Sequence, residues 1–175
     1  MAGLSIIASR RRGPISSSSI LRRICAGLLW SLIALFPAPT LAASVDELLA
    51  REEGPSGVIF EIVDDDEDAL QQRLPAVRSA IERIRQRFPR TEFAVVSHGR
   101  EEFALQSSYR DEQAEIHAQV RALVDDAVPV HVCGTHAGWY GVGAEDFPEY
   151  VDVAPSGPAQ IALYRELGYE LIVVW

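Results

Sequence analysis

The sequence predicts an α/β fold: a single domain on a five-stranded parallel sheet with helices on both faces. Three observations carry that expectation. Short apolar runs rich in β-branched residues recur at 58–63, 93–96, 128–133, 151–154 and 171–174, the mark of strands buried on both sides. The segments between them repeat apolar residues at three and four positions, the period of a helix with one buried face. The chain of 175 residues is 48% hydrophobic, which excludes general disorder and suffices for one core without disulfide staples. Strand and helix in alternation call for parallel pairing and right-handed crossovers.

Taken in order, residues 45–53 read as a short helical lead-in, stopped by Gly54-Pro55-Ser56-Gly57. The first strand follows at 58–63. Asp64 to Asp68 supply acids at its carboxyl end, which suit the positive end of the helix predicted over 68–88, with Asp68 as N-cap. Leu70, Leu74, Val77, Ile81, Ile84 and Phe88 give that helix its apolar stripe. Pro75 lies inside it, so a kink or a separate first turn is expected. After the second strand, Ser97-His98-Gly99-Arg100 opens a long loop reaching Tyr109. A helix over 112–125 presents Ile116, Val120, Leu123 and Val124 inward and leaves His117 among charged neighbours on the surface. The third strand ends at Cys133, and 134–143 form a glycine-rich turn with room for a short helix. Pro155-Ser156-Gly157-Pro158 caps a helix over 159–167, which Gly168 closes before the last strand.

Charge divides the chain. Residues 1–42 hold five of the 16 basic residues and none of the 25 acidic ones. The remainder carries 11 Arg and no Lys against 25 acids, a net charge of 11 − 25 = −14. A body this acidic repels nucleic acid and anionic membranes. Residues 1–42 read as an export signal: Arg10–Arg12 and Arg22–Arg23, then an apolar stretch of 13 residues from Ile24 to Phe36, too short to span a bilayer. Thr40-Leu41-Ala42 offers small residues for cleavage before Ala43. The expected division is a signal peptide over 1–42, a lead-in over 43–56 and the α/β domain over 57–175, in the periplasm or outside the cell. Cys25 leaves with the leader, so Cys133 becomes a solitary thiol.

In such sheets ligands gather beyond the carboxyl ends of the strands. Three groups of residues meet there: Asp64–Asp66, His98 with Arg100, and Cys133 to His136. Gly134 is expected to turn the backbone and bare the sulfur. The N–H groups of Gly134 and Thr135 would then stabilise a thiolate, the form that attacks in sulfur exchange. His136 or His98 would act as base or electrostatic partner, and Arg100 would hold an anionic sulfur species. A plain strand-end cysteine fits the residues as well. His131, Cys133 and His136 also have a loose metal-ligand look suited to copper or zinc, without an evident fourth ligand.

Val130-His131-Val132-Cys133-Gly134, then Gly141-Val142 with Glu145-Asp146 behind, then Val151-Asp152-Val153-Ala154-Pro155-Ser156-Gly157 and Leu167-Gly168-Tyr169 resemble the DsrE/DsrF family of small sulfur-relay proteins. The resemblance runs from about Gly57 to Val174. It implies a flavodoxin-like or DsrE-like single domain, assembly as a homo-oligomer (trimer or hexamer), and a cysteine at the Cys133 position that takes up sulfur as a persulfide and passes it on. The turn 135–140 and the export signal depart from the relay subunits. The expectation is an exported DsrE-like protein that handles reduced sulfur as a sulfurtransferase-like carrier, with no cofactor. Its partners would be a sulfur donor or acceptor protein, or a small sulfur species. The alternatives are a non-catalytic oligomeric binding or assembly module and a Cys/His protein for copper or zinc.

Overall fold

The computed structural model describes residues 42–175, and all of the expected export signal but its last residue lies outside them. The elements are α1 (Val45–Leu49), β1 (Gly57–Ile62), α2 (Leu70–Arg87), β2 (Glu92–Ser97), two 3₁₀ segments (Arg100–Leu105 and Ser107–Tyr109), α3 (Ala114–Asp125), β3 (Val130–Cys133), α4 (Gly134–Trp139), a 3₁₀ turn (Ala144–Asp146), β4 (Asp152–Ala154), α5 (Gly157–Glu166) and β5 (Tyr169–Val174). All five strands pair in parallel, in the order β4-β3-β2-β1-β5. This is the α/β class the alternating pattern predicts. Among the described residues no helix is long and apolar enough to cross a membrane.

The order explains the layers. From β1 the chain steps outward through β2 and β3 to β4, then returns past β1 to place β5 on the far side. Right-handed crossovers put helices of outward steps on one face and the helix of the return step on the other. Val58, Phe60 and Ile62 of β1, with Val95 and Val130, join Leu74, Val77, Ile84, Ile116 and Val120 of α2 and α3 in one large core. On the opposite face, Ile59, Ala94 and Val96 pack with Ile161 of α5 in a much smaller one. That second face also carries every other strand residue out of register with the main core, His131 and Cys133 included.

Several expectations change locally. α1 is shorter than expected, with Ser44 and Glu47 closing a capping box. Asp68 does not cap α2. Ala69 holds that position, and the acids instead form short local bonds: Asp64 accepts the Asp66 N–H at 3.1 Å and Asp66 accepts the Asp68 N–H at 3.0 Å. Pro75 neither ends nor splits α2, because it stands on the exposed side where the carbonyl it leaves unpaired meets water. The loop after β2 is no loose excursion. It is a buried 3₁₀ turn from Arg100 to Leu105 whose Glu101 and Glu102 are both fully buried.

His117 is buried, not exposed. Its Nδ1 lies 2.5 Å from the Tyr150 hydroxyl, which ties α3 to the segment before β4. His131 is buried on the α5 side, with Nε2 2.9 Å from the Tyr164 hydroxyl. Burial pushes both imidazoles below the ordinary histidine range. The unfolded chain therefore takes up protons near pH 6.5 that the native state refuses. Their contribution is intact above that pH and is lost as pH falls through the lowered native values. The midpoint of thermal unfolding should fall between pH 7.5 and pH 5, and the double substitution His117→Gln, His131→Gln should flatten that fall. Differential scanning calorimetry of both proteins at the two pH values checks it.

Candidate functional site

The two carboxyl ends that face each other are those of β3 and β4. β3 exits into α4, whose Ala137 enters the main core; β4 exits into α5, whose Ile161 enters the opposite one. Ligands of α/β sheets commonly sit at carboxyl strand ends of this kind. Cys133 ends β3, paired with Ala154 at the end of β4.

Two adjacent carboxylates build the site from beneath. Glu101 accepts hydrogen bonds from the Asp64 N–H (2.8 Å), the Ser97 hydroxyl (2.8 Å) and the Gly99 N–H (3.0 Å). It thereby binds the exits of β1 and β2 together. Gly99 is required by close approach: a Cβ there would sit 2.6 Å from the Asp64 carbonyl oxygen. Glu102 points the other way. Its Oε2 accepts the Cys133 N–H at 2.7 Å and its Oε1 lies 2.8 Å from His136 Nδ1. Burial pushes the Glu102 carboxyl above the usual range, and the bonds from Cys133 and His136 pull it back. With Glu102 ionised, Nδ1 carries the imidazole proton and Nε2 is the basic nitrogen. Nε2 takes no hydrogen bond from any described residue.

The His136 ring is enclosed by aromatics. Phe103 stacks on it at 5.4 Å between centroids, and Tyr140 and Trp139 meet it edge-on at 5.3 and 5.7 Å. The main chain of His136 also serves the site, since its N–H donates to Cys133 Sγ at 3.3 Å. The thiol thus stands as N-cap of α4.

Several site expectations are corrected. The sulfur is not bared: Cys133 is 4% exposed, because α4 begins at the next residue and turns back over the strand end. Gly134 serves close packing, since a Cβ there would lie 3.1 Å from the Ala154 carbonyl oxygen. The Thr135 N–H does not face the thiol; it donates to the Pro155 carbonyl at 3.1 Å, as does the Thr135 hydroxyl at 2.6 Å. The donor at the sulfur is that of His136. His98 is engaged elsewhere, with Nε2 2.8 Å from Glu61 Oε1. Arg100 pairs with Glu67 and lies 5.7 Å above the Tyr140 ring, on the rim. His131, Cys133 and His136 do not converge on a metal, because Tyr164 holds His131 and Glu102 holds His136. Among the described residues no group of three or more His, Cys, Asp or Glu side chains is arranged to hold one.

Sequence reasoning singled out Cys133 and His136 and passed over Glu101 and Glu102, both buried, of which Glu102 bonds to them. One signal was present. Phe103-Ala104-Leu105 follows the two acids directly, and an apolar trio of that kind marks a segment that turns inward.

Comparison with known proteins adds the fold. No family model matches the chain, and no curated protein matches it in sequence. Among solved structures, it is similar to MTH1491, a protein of unknown function from Methanobacterium thermoautotrophicum, with a TM-score of 0.55, 23% identity, and 67% of this chain and 97% of that one covered. BT1422 from Bacteroides thetaiotaomicron, also of unknown function, aligns with a TM-score of 0.44 and 9% identity over 68% and 95% of the two chains. The likeness to MTH1491 extends to the five-stranded parallel α/β architecture.

Proposed function

We propose that this chain is an exported carrier of reduced sulfur in which Cys133 takes up a sulfane sulfur as a persulfide. The observation that carries the reading is that Glu102 bonds both the Cys133 N–H and His136 Nδ1, while the His136 main-chain N–H donates to the only thiol of the described residues. In the step envisaged, His136 Nε2 takes the thiol proton and the His136 N–H stabilises the thiolate. The thiolate attacks the outer sulfur of a donor persulfide R–S–SH. One S–S bond forms at Cys133, the donor S–S bond breaks, and the leaving thiolate takes the proton from His136. The exchange is redox-neutral.

Incubation of the purified protein with polysulfide should add about 32 Da per sulfur atom at Cys133, removable by dithiothreitol. Intact-mass analysis with Cys133→Ser as control checks it. Absence of the adduct, with a thiol that resists alkylation in the folded protein, would refute the reading.

The low exposure of Cys133 favours a second reading. There the thiol packs, and the chain works as an oligomeric assembly module through exposed apolar residues such as Leu163, Leu167 and Trp175. It expects an alkylation-resistant thiol and an assembly visible by light scattering that Cys133→Ser leaves unchanged.

A further inference from the structure

α4 ends in a surface anomaly. Trp139 is 76% exposed and Tyr140 is 54% exposed, consecutive in the chain and both in ring contact with the buried side of the site through His136. Large aromatics held this far out of a core are uncommon on a monomer surface and are the residues that anchor partner interfaces. The charge at the Tyr140 ring is a cation, Arg100, which lies 5.7 Å from the ring centroid and is paired with Glu67; beyond that pair, Asp65, Asp66 and Asp68 are exposed beside Glu67 in the chain. Further along the chain, Glu145 and Asp146 follow Tyr140 by five and six residues and are exposed as well.

We infer that Trp139 and Tyr140, within their acidic surround, form the docking surface for a cationic segment of the protein that exchanges sulfur with Cys133. The inference rests on the reading of Cys133 as a sulfur site. Charge complementarity selects the occupant: a net charge of 11 − 25 = −14 over residues 43–175 repels anionic partners and draws cationic ones. The position explains a second fact. Cys133 is buried, and its Sγ caps a helix of only six residues whose far end is this aromatic pair. A partner that grips Trp139 and Tyr140 pulls on the helix that the sulfur caps, so docking and access are coupled.

The test compares three disulfides reacting with Cys133: a short arginine-rich peptide bearing one cysteine as its thiopyridyl disulfide, a glutamate-rich peptide of the same length and linkage, and neutral dithiodipyridine. In each case the Cys133 thiolate attacks sulfur, one S–S bond forms and one breaks, and pyridine-2-thiolate leaves and is protonated to the thione, whose absorbance gives the rate. The arginine-rich peptide should react about tenfold or more faster than the glutamate-rich one. That gap should close at about 1 M salt, where screening acts within about 3 Å. Trp139→Ala with Tyr140→Ala should slow the arginine-rich peptide several-fold relative to dithiodipyridine. Equal rates for the two peptides, or a double substitution that slows all three reagents alike, overturns the inference. Fluorescence anisotropy of the labelled, cysteine-free arginine-rich peptide separates the two failures. Binding lost in the double variant but with no reaction at Cys133 sustains docking and defeats the sulfur reading, whereas a persulfide formed from polysulfide without salt-dependent peptide binding does the reverse.

Discussion

Glu102→Gln should cut the rate of persulfide formation at Cys133 by about a hundredfold or more while leaving the protein folded. The amide keeps the shape of the carboxyl group, so the packing around a fully buried side chain is preserved. Its oxygen can still accept the Cys133 N–H, which Oε2 of the native carboxylate takes at 2.7 Å. Its NH₂ group then faces His136 Nδ1, where the native carboxylate accepts at 2.8 Å. An amide donor at Nδ1 forces the imidazole proton onto Nε2, the nitrogen that receives the thiol proton in the proposed step. The tautomer is inverted and the base is lost, at a cost in stability of about 1 kcal/mol. Stopped-flow reaction with polysulfide across pH 6 to 9 reads the effect. A wild-type rate, or a rate loss matched by His136→Ala without any change of pH profile in either variant, would remove Glu102 from the chemistry and leave it a packing group. Glu102→Ala is the harsher form and should destabilise as well, because it orphans the Cys133 N–H in a buried place.

The parts of this molecule that could be read from the chain are those whose cause is local. The β1 run from Val58 to Ile62 is apolar but for Glu61, so its burial follows from composition, and the stripe Leu70, Leu74, Val77, Ile81, Ile84 dictates α2 at its period. Cys133 was legible because a strand end followed by glycine fixes its place in any parallel sheet. Glu101 and Glu102 were not, for a physical reason. Two adjacent acids preceded by Gly99 and Arg100 read as a solvated loop in all but the apolar trio that follows them, and only five donors gathered from Asp64, Ser97, Gly99, Cys133 and His136 make their burial tolerable. No window of sequence contains those five. His117 is the opposite case. It lies three residues before Val120 and beside Ile116, on the edge of the buried stripe of α3, and its charged neighbours disguised a position that helical geometry already turned inward.

Glu101→Ala should produce the largest loss of stability of any single substitution at this end of the sheet. The carboxylate is fully buried and satisfies three donors: the Asp64 N–H, the Ser97 hydroxyl and the Gly99 N–H. Each donor left without a partner in a buried site costs about 1–3 kcal/mol, so the substitution should cost about 4 kcal/mol in all. For a domain of this size that lowers the unfolding midpoint by roughly 15 °C. Glu101→Gln retains an oxygen for one or two of the donors but sets its NH₂ group against another, so it should fall between the alanine variant and wild type. The consequence reaches the thiol, because Glu101 and Glu102 are consecutive in one 3₁₀ turn. A turn released from the exits of β1 and β2 no longer aims Glu102 at Cys133 and His136, and native-state alkylation of Cys133 should rise before global unfolding does. Thermal denaturation together with alkylation kinetics at 25 °C reads both effects. A midpoint shift under about 2 °C would mean that water replaces the carboxylate at all three donors, and the loop after β2 would then owe its shape to Phe103 and Leu105 in the core and not to the buried charge.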